Sequence, residues 1–251
     1  MQQISKSIQK LISSLAYKKY REETGLFIAE GGKLVEELLP YFECELLIAS
    51  PVWIERREIV AQKVLVVEEK EIERCSLQEY RRDVMALFRI KHWEFAPQEL
   101  REGLFLGLDS IQDPGNLGTI LRVANWFGIK RIIASIETVD VFNPKVVQSS
   151  MGAIGKVEIS YTNLPSFLAE ITALPVYGTS LQGENIYTSS LSASGIILMG
   201  NEGKGLSKEV SRYVNKMLYI PPYPRESERI ESLNVAVSTS IILSEFRRRE
   251  G

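Results

Sequence analysis

Histidine, cysteine and long apolar runs are scarce in this 251-residue sequence, and each scarcity argues against a class of protein. The single histidine, His92, lies in a polar stretch, which argues against histidine-based triads and histidine-rich metal sites. Cys44 and Cys75 lack metal-ligand or redox spacing, which predicts a reduced, cytoplasmic protein without a metal. No apolar run approaches the roughly 18 residues that span a bilayer, so no membrane association is expected.

Excess charge of one sign is also missing, since the formal net charge is −2. This argues against nucleic-acid binding by the whole surface but leaves room for a local patch. Residues 1–21 contain basic side chains and no acidic one, with tyrosines interleaved in "YKKYR". Lysine and arginine neutralise phosphates and aromatic rings stack on bases, so we predict RNA contacts here. The predicted residues in this segment are Lys18, Lys19 and Arg21, and Lys33 outside it is predicted as a further contact. The alternative is that the segment is an exposed amphipathic helix face.

The chain reads as two α/β halves separated by a short polar stretch. Residues 1–92 alternate helical and strand patterns, including helices near 4–18 and over "WIERREIVAQ" (53–62). Residues 91–102 turn polar and contain a proline, which is typical of a domain boundary. Residues 103–251 contain six candidate strands, each pair separated by a helical pattern, which predicts a mostly parallel six-stranded sheet. Ligands bind at the carboxyl ends of such strands.

Two loops after these strands carry candidate chemistry. Asp113-Pro114 is a strong helix start, and the following "LGTILRVANWFG" is apolar on nearly every side, which predicts a buried helix. Arg122 is the anomaly in it, indicating either an anionic partner or a side chain that reaches solvent. The second loop, "GNEGKGLS", has glycines that either expose main-chain N–H groups to a ligand or only form a tight turn. Its Glu202 would repel a phosphate and suits a ligand with hydroxyls, amines or positive charge.

The segment "RIESLNVAVSTSIILSEFRRREG" (229–251) is ambiguous on local pattern. Small and β-branched residues alternate as in a strand, yet the polar start and basic end are typical of a helix.

Three stretches together resemble the SpoU (TrmH-like) RNA 2′-O-ribose methyltransferases of the SPOUT superfamily. They are "DPGNLGTILRVANWFG" (113–128), "LMGNEGKGLS" (198–207), and "IPPY" with "ESLNVAVSTSIILSEF" (220–246). The stretch "KKYREETGLFIAEGGKLVEELL" (18–39) resembles the small L30e-like RNA-binding domain that many members carry. A departure is "PYPRESERIE" (222–231), longer than the family pattern, interpreted as a surface extension or as an element that shapes substrate entry.

The resemblance implies an L30e-like domain over 1–92, a trefoil-knotted α/β catalytic domain over 103–251, S-adenosylmethionine as cofactor, and a homodimer. It also implies that the C-terminal segment is a helix whose small residues pack closely. The implied catalytic residues are Arg122, Asn116, Glu202, Ser232 and Asn234. The implied cofactor-binding residues are Gly200, Ile220, Leu233, Thr179, Ser180, Leu181, Asn201 and Gly205.

The predicted activity is methyl transfer from S-adenosylmethionine to an RNA ribose 2′-hydroxyl. The N-terminal domain favours ribosomal RNA over transfer RNA by family analogy. A non-catalytic RNA-binding or ribosome-assembly factor on the same fold is the alternative from another class. A dehydrogenase would need G-x-G-x-x-G after the first strand of the second half, which is absent.

Overall fold

The computed structural model describes residues 3–55, 57–78, 83–224 and 232–249, and the chain divides into two compact units. The N-terminal unit comprises Met1–His92 and Asp140–Lys156, and the C-terminal unit comprises Trp93–Val139 and Val157–Gly251. The division therefore differs from the boundary expected from sequence in one respect. A segment expected within the second domain, residues 140–156, folds with the first.

The α-helices are α1 Lys6–Ser14, α2 Lys18–Thr24, α3 Gly32–Leu38, α4 Pro51–Ile54, α5 Glu69–Cys75, α6 Pro114–Trp126, α7 Pro144–Ser150, α8 Leu164–Ala169, α9 Lys208–Ser211 and α10 Val235–Arg248. The strands are β1 Leu26–Glu30, β2 Cys44–Ala49, β3 Val64–Val66, β4 Val84–Arg89, β5 Leu104–Leu108, β6 Arg131–Ser135, β7 Glu158–Thr162, β8 Val176–Asn185, β9 Gly195–Met199 and β10 Lys216–Tyr219. Short 3₁₀ turns occupy Pro97–Glu99 and Ala153–Gly155. None of the described helices has the length and apolarity to cross a membrane.

The N-terminal unit is built on a four-stranded mixed sheet in the order β1-β4-β2-β3. β4 pairs antiparallel with both neighbours, and β2 and β3 pair in parallel. One helix prediction is too long here and another is wrong. The helix expected near 4–18 is present as α1, but it ends at Ser14, and α2 begins at Lys18. The helix expected over 53–62 is only α4, since residues 57–63 are not helical and Val60 is 92% exposed.

Arg21 of α2 is a buried charged residue of the N-terminal unit. Its side chain is 2% exposed, and its Nη2 lies 2.6 Å from Oδ2 of Asp140, at the start of the 140–156 segment. Its Nη1 donates to the carbonyl oxygen of Leu15 at 2.8 Å. The prediction that Arg21 contacts RNA is therefore wrong, because its guanidinium is enclosed and committed within the protein. Lys18 and Lys19 are exposed and form long ion pairs with Glu22 and Glu23.

Replacing Arg21 by methionine should lower the free energy of unfolding by about 2–3 kcal/mol. A buried charge that loses its partner costs about 3–5 kcal/mol, and Asp140, at 16% exposed, keeps some access to water. Urea denaturation measures this. The matched control is Lys19→Met, which removes an exposed pair worth less than about 1 kcal/mol. Equal losses in the two variants would show that the Arg21–Asp140 pair does not hold this unit together.

The C-terminal unit is built on a six-stranded sheet in the order β10-β8-β9-β5-β6-β7, in which every described pairing is parallel. β5 and β9 are central and buried throughout, as their continuous apolar sequences predict. A helix was expected between each pair of consecutive strands. This prediction is wrong between β8 and β9, where residues 186–194 form turns. The polar stretch 91–102 contributes Phe95 and Leu100 to this unit's core, so it is not a free linker.

Helix α6 starts at the predicted place, with the Asp113 carboxylate accepting from the amide of Asn116 at 2.8 Å. The prediction that it is buried on all sides is wrong. Trp126 is 84% exposed and Arg122 is exposed, while Leu117, Ile120 and Leu121 face the core. Arg122 is therefore not destabilised by burial, and its predicted functional role depends on its position alone.

The ambiguous C-terminal segment is a helix, α10, which packs against α6. Among its small residues Ala236 is 4% exposed, while Ser238 and Ser240 are partly buried. Their close packing at a knot and a dimer interface stays a prediction. The terminal arginines anchor it: Arg249 donates to the carbonyl oxygens of Ile186 at 2.7 Å and Ser189. A hydrogen bond from Arg248, opposed by partial burial and aided by Arg249, lowers the pKa of Glu245 to about 2.

Candidate active site

A cavity of about 530 Å³ opens at the carboxyl ends of the strands in the C-terminal unit. Its walls come from residues 179–182 within β8, the loop at 199–206, residues 217–220 and the start of α10. These include every residue predicted to bind the cofactor: Thr179, Ser180, Leu181, Gly200, Asn201, Gly205, Ile220 and Leu233. The position agrees with the general rule for parallel sheets. Its volume lies within the roughly 300–1,000 Å³ of small-molecule sites.

Main-chain hydrogen bonds join the two sides of the glycine loop in the cavity wall. Asn201 and Gly205 exchange main-chain hydrogen bonds at 3.0 and 2.9 Å, and the Asn201 side-chain oxygen accepts from the amides of Gly203 and Lys204, each at 3.1 Å. A Cβ at position 200 would lie 2.3–2.6 Å from main-chain atoms of Gly205 and Leu206. Only glycine therefore allows the two ends of the loop to approach this closely.

Three predicted catalytic residues form a hydrogen-bonded chain beside the cavity. The amide nitrogen of Asn234 donates to Oδ1 of Asn116 at 2.8 Å, and the amide nitrogen of Asn116 donates to Oε1 of Glu202 at 3.0 Å. The main-chain amides of Gln112 and Asp113 also approach Glu202, at 3.4 and 3.3 Å. The loops after β5 and β9 and the start of α10 thus converge on one carboxylate.

Glu202 is held ionised by its surroundings. Partial burial raises its pKa, but the hydrogen bonds from Asn116 and from main-chain amides outweigh this, so the pKa lies below its ordinary value. At neutral pH Glu202 therefore acts as a hydrogen-bond acceptor and not as an acid.

Replacing Asn116 by alanine should raise the pKa of Glu202, because the carboxylate loses its side-chain donor. A depressed folded pKa contributes stability above the unfolded pKa, and this stability is lost as the pH falls through the folded value. We expect the variant to lose about 1 kcal/mol at neutral pH and less at acidic pH. Carbon-13 NMR titration of the carboxylate and urea unfolding at both pH values measure this. Asn125→Ala, at an exposed position of α6, is the control; a Glu202 pKa equal in both variants would contradict the expectation.

The other two predicted catalytic residues are placed differently. Ser232 lines the cavity, is exposed, and has no hydrogen-bond partner within the described residues. Arg122 does not line the cavity; it lies six residues along α6 from Asn116, about 9 Å along the helix axis. Its guanidinium forms no ion pair in the part of the chain that the structure describes, so it remains available to a molecule from outside.

The structure also brings in residues that the sequence reasoning missed. Asp109 and Ser110 follow β5, and the first accepts a hydrogen bond from the amide of Ser207 at 2.7 Å. Apolar side chains from α10 and β10 complete the cavity wall, including Met217, Val235 and Ile242. Asp109 could have been identified from its position in the sequence, because it directly follows a predicted buried strand and precedes a candidate loop. Among the described residues no cluster of metal-ligating side chains occurs.

Comparison with protein families decides the classification. Residues 103–244 match the SpoU rRNA Methylase family, and residues 6–86 match the MRM3-like substrate binding domain. The chain belongs to the SpoU rRNA methylase family. The residues that form the cavity and the Asn234–Asn116–Glu202 chain all lie within the first match.

Relatives of known name and structure cover nearly the whole chain. The sequence is 31% identical to the Bacillus subtilis 23S rRNA (guanosine(2553)-2′-O)-methyltransferase RlmP, over 92% of each chain. A putative RNA methyltransferase of the TrmH family from Porphyromonas gingivalis is 37% identical, with a TM-score of 0.89 over 99% of this chain and 100% of that one. An AdoMet-bound rRNA methyltransferase from Sinorhizobium meliloti is 29% identical, with a TM-score of 0.83 over 99% and 97%.

These comparisons confirm the predicted family, the α/β fold class, the RNA 2′-O-ribose methyltransferase activity and the use of S-adenosylmethionine. The cavity suits this cofactor on its own features. Apolar side chains such as Leu206, Ile220 and Ile242 offer a surface for a purine ring, while the closed glycine loop and Glu202 offer polar groups for hydroxyl and amino groups.

Proposed function

We propose that this SpoU-family enzyme methylates the ribose 2′-hydroxyl of a guanosine in 23S ribosomal RNA. The single observation that carries the site assignment is the hydrogen-bonded chain of Asn234, Asn116 and Glu202 at a cavity of cofactor size. The RNA assignment rests on the name of the B. subtilis relative, which aligns over 92% of both chains. The match of residues 103–244 to a family of rRNA methylases favours ribosomal RNA over the transfer RNA alternative.

The cavity residues hold the methyl donor. When bound, S-adenosylmethionine supplies a methyl group on a positively charged sulfur, which a nucleophilic oxygen can attack. Leu181, Ile220 and Leu233 provide apolar walls, and the main chain of the glycine loop provides hydrogen-bonding groups. Leu181 and Leu233 are 63% and 45% exposed, so they lie at the mouth, where burial of apolar surface favours binding.

The Asn234–Asn116–Glu202 chain positions polar groups for the RNA ribose. Each asparagine amide has two N–H groups, and the described contacts use one from Asn116 and one from Asn234. Ionised Glu202 fixes the orientation of Asn116, which in turn fixes Asn234 at the start of α10. The remaining N–H groups and the Ser232 hydroxyl are then free to hold the ribose and its phosphate in the orientation for attack.

Arg122 has the role of orienting and stabilising the reacting hydroxyl and the adjacent phosphate. A guanidinium remains charged at physiological pH, so it is a poor general base. It is well suited to a bidentate contact with a phosphate and to stabilising developing negative charge on the ribose oxygen. Its exposure and lack of an ion-pair partner among the described residues support a role that begins when RNA arrives.

RNA contacts extend to residues 1–92, which we assign as the substrate-binding domain and which form the N-terminal unit together with residues 140–156. The rest of 103–251 carries the catalytic site. Lys18, Lys19 and Lys33 are exposed and supply positive charge to phosphates. Lys18 and Lys19 are only weakly engaged by Glu22 and Glu23, at 3.7 and 3.8 Å, so RNA can displace these partners.

The enzyme acts as a homodimer through its C-terminal unit, in the cytoplasm. Support for the dimer comes from two exposed apolar residues on the paired helices α6 and α10, Trp126 at 84% and Val237 at 49%. Sedimentation analysis of wild type and Trp126→Asp measures the oligomeric state.

The trefoil knot stays a prediction, because the chain between β10 and α10 passes through residues 225–231, outside the described residues. Most of the 222–231 insert lies there too.

The function is tested by mapping 2′-O-methyl nucleotides in RNA from cells with and without the gene by mass spectrometry. The expected result is the loss of one methylated guanosine from 23S ribosomal RNA, restored by the wild-type gene. Loss of a transfer RNA methyl group instead would assign the other substrate. An unchanged RNA methylation pattern, together with no calorimetric binding of S-adenosylmethionine, would favour the non-catalytic assembly factor.

A further inference from the structure

A buried carboxylate outside the proposed catalytic set lies beneath the glycine loop. Asp109 follows β5, is 4% exposed, and has no ion-pair partner in the ranges that the structure describes. Its Oδ2 accepts from the main-chain amide of Ser207 at 2.7 Å, at the far end of the glycine loop, and Oδ1 accepts from the Ser110 hydroxyl at 3.3 Å. Burying a carboxylate without an ion-pair partner is costly, and these two hydrogen bonds offset part of that cost.

The next residue is strained. Ser110 has φ +60°, a left-handed conformation that non-glycine residues seldom adopt. Its amide donates to the hydroxyl of buried Ser135 at 3.0 Å, and its carbonyl oxygen accepts from the side chain of Asn201 at 2.8 Å. Strain of this kind persists where surrounding hydrogen bonds enforce it, and it occurs preferentially at functional sites.

Together these contacts tie the loop after β5 to both ends of the glycine loop. Asn201 is held at the beginning through Ser110, and Ser207 is held at the end through Asp109. Glu202 lies between these two points. The main-chain amides that approach Glu202, from Gln112 and Asp113, come from the continuation of the same β5 loop. The hydrogen bonds of the loop after β5 therefore position both the wall of the cofactor cavity and the Glu202 carboxylate.

We propose that Asp109 is a positioning residue, acting through the Ser207 amide and with Ser110 and Asn201, that locks the glycine loop in its cofactor-binding conformation before the cofactor arrives. The expected effect on cofactor binding rests on the proposed function, because the locked loop carries Glu202 and the wall of the S-adenosylmethionine cavity. Preorganisation of this kind increases affinity, because the loop loses little conformational freedom on binding.

The first test is Asp109→Ala and Asp109→Asn in the full chain. Alanine removes the acceptor, so the dissociation constant for S-adenosylmethionine should rise about 10-fold or more by calorimetry. In the ligand-free protein, hydrogen exchange of the amides at 201–207 should accelerate about 10-fold. Asparagine retains an oxygen acceptor of the same shape, so both quantities should return to within about 3-fold of wild type. Affinity for 23S ribosomal RNA fragments should change less than about 2-fold.

A second pair keeps the test decisive if Asp109→Ala does not fold. Ser207 has φ −63°, which proline accepts, so Ser207→Pro deletes the N–H that Asp109 binds without altering Asp109. Ser207→Ala keeps that N–H and deletes only the hydroxyl that caps α9. Proline should weaken cofactor binding about 10-fold relative to alanine.

Three results would overturn the proposal: wild-type exchange and affinity in Asp109→Ala, equal behaviour of the two Ser207 variants, or faster exchange spread evenly over β5 and β6. The last would mean a general structural role. Failure of the proposed function is distinguishable, because wild-type protein would then not bind S-adenosylmethionine while the ligand-free exchange experiment would still report on the lock.

Discussion

Arg122→Ala should lower the rate constant for methyl transfer by about 1,000-fold, or about 4 kcal/mol of transition-state stabilisation. Arg122 is exposed and lies outside the cavity wall, so the dissociation constant for S-adenosylmethionine and the free energy of unfolding should stay at their wild-type values. Single-turnover methylation with labelled cofactor measures the rate, and calorimetry measures the affinity. This combination separates an action on the RNA from an action on the cofactor.

Arg122→Lys refines the role of the guanidinium. Lysine keeps the charge and loses the planar fork, so we expect about a 10–100-fold slower reaction that remains faster than in Arg122→Ala. Arg101→Ala, at an exposed arginine of the same unit away from the cavity, should leave the rate unchanged. Full activity in Arg122→Lys at neutral pH would show that the fork is unnecessary. A rate in Arg122→Ala equal to wild type would remove the residue from the catalytic set.

Gly200→Ala should raise the dissociation constant for S-adenosylmethionine by about 100-fold or more. The new Cβ would lie 2.3 Å from the carbonyl carbon of Gly205 and 2.4 Å from the amide nitrogen of Leu206. These are main-chain atoms, so they can move only by opening the Asn201–Gly205 pairing that closes the loop. Overpacking of this kind costs about 3 kcal/mol, which corresponds to about two factors of ten in affinity.

Gly203→Ala is the matched control for this prediction. The same substitution in the same loop would bring a Cβ no closer than 3.9 Å to the Asn201 side-chain oxygen, an ordinary contact. We expect its affinity for S-adenosylmethionine to stay within about 3-fold of wild type by calorimetry. If both variants weakened binding equally, general flexibility of the loop would matter and the close approach at Gly200 would not.

Local sequence patterns predicted most strands because the evidence for a buried parallel strand is local. The continuous apolar runs of β5 and β9 require burial on both faces wherever they lie, and both are central strands. The helix start signal was equally local at Asp113, whose side chain caps α6. Where the pattern depended on what packs against a helix, it failed: the apolar sequence of α6 did not reveal that Trp126 is exposed.

The sequence by itself determined the order of the strands, the glycine loop with Glu202, and the family to which the chain belongs. Tertiary structure alone decided which charges are buried and held by distant partners. Arg21 belonged by sequence to an exposed basic patch, yet it is buried against Asp140, 119 residues away. Asp109 was not predicted from the sequence to be functional, yet its carboxylate accepts a hydrogen bond from the amide of Ser207, 98 residues away. The physical reason is that a buried charged group needs a partner, and for these two residues the packing of distant segments supplies it.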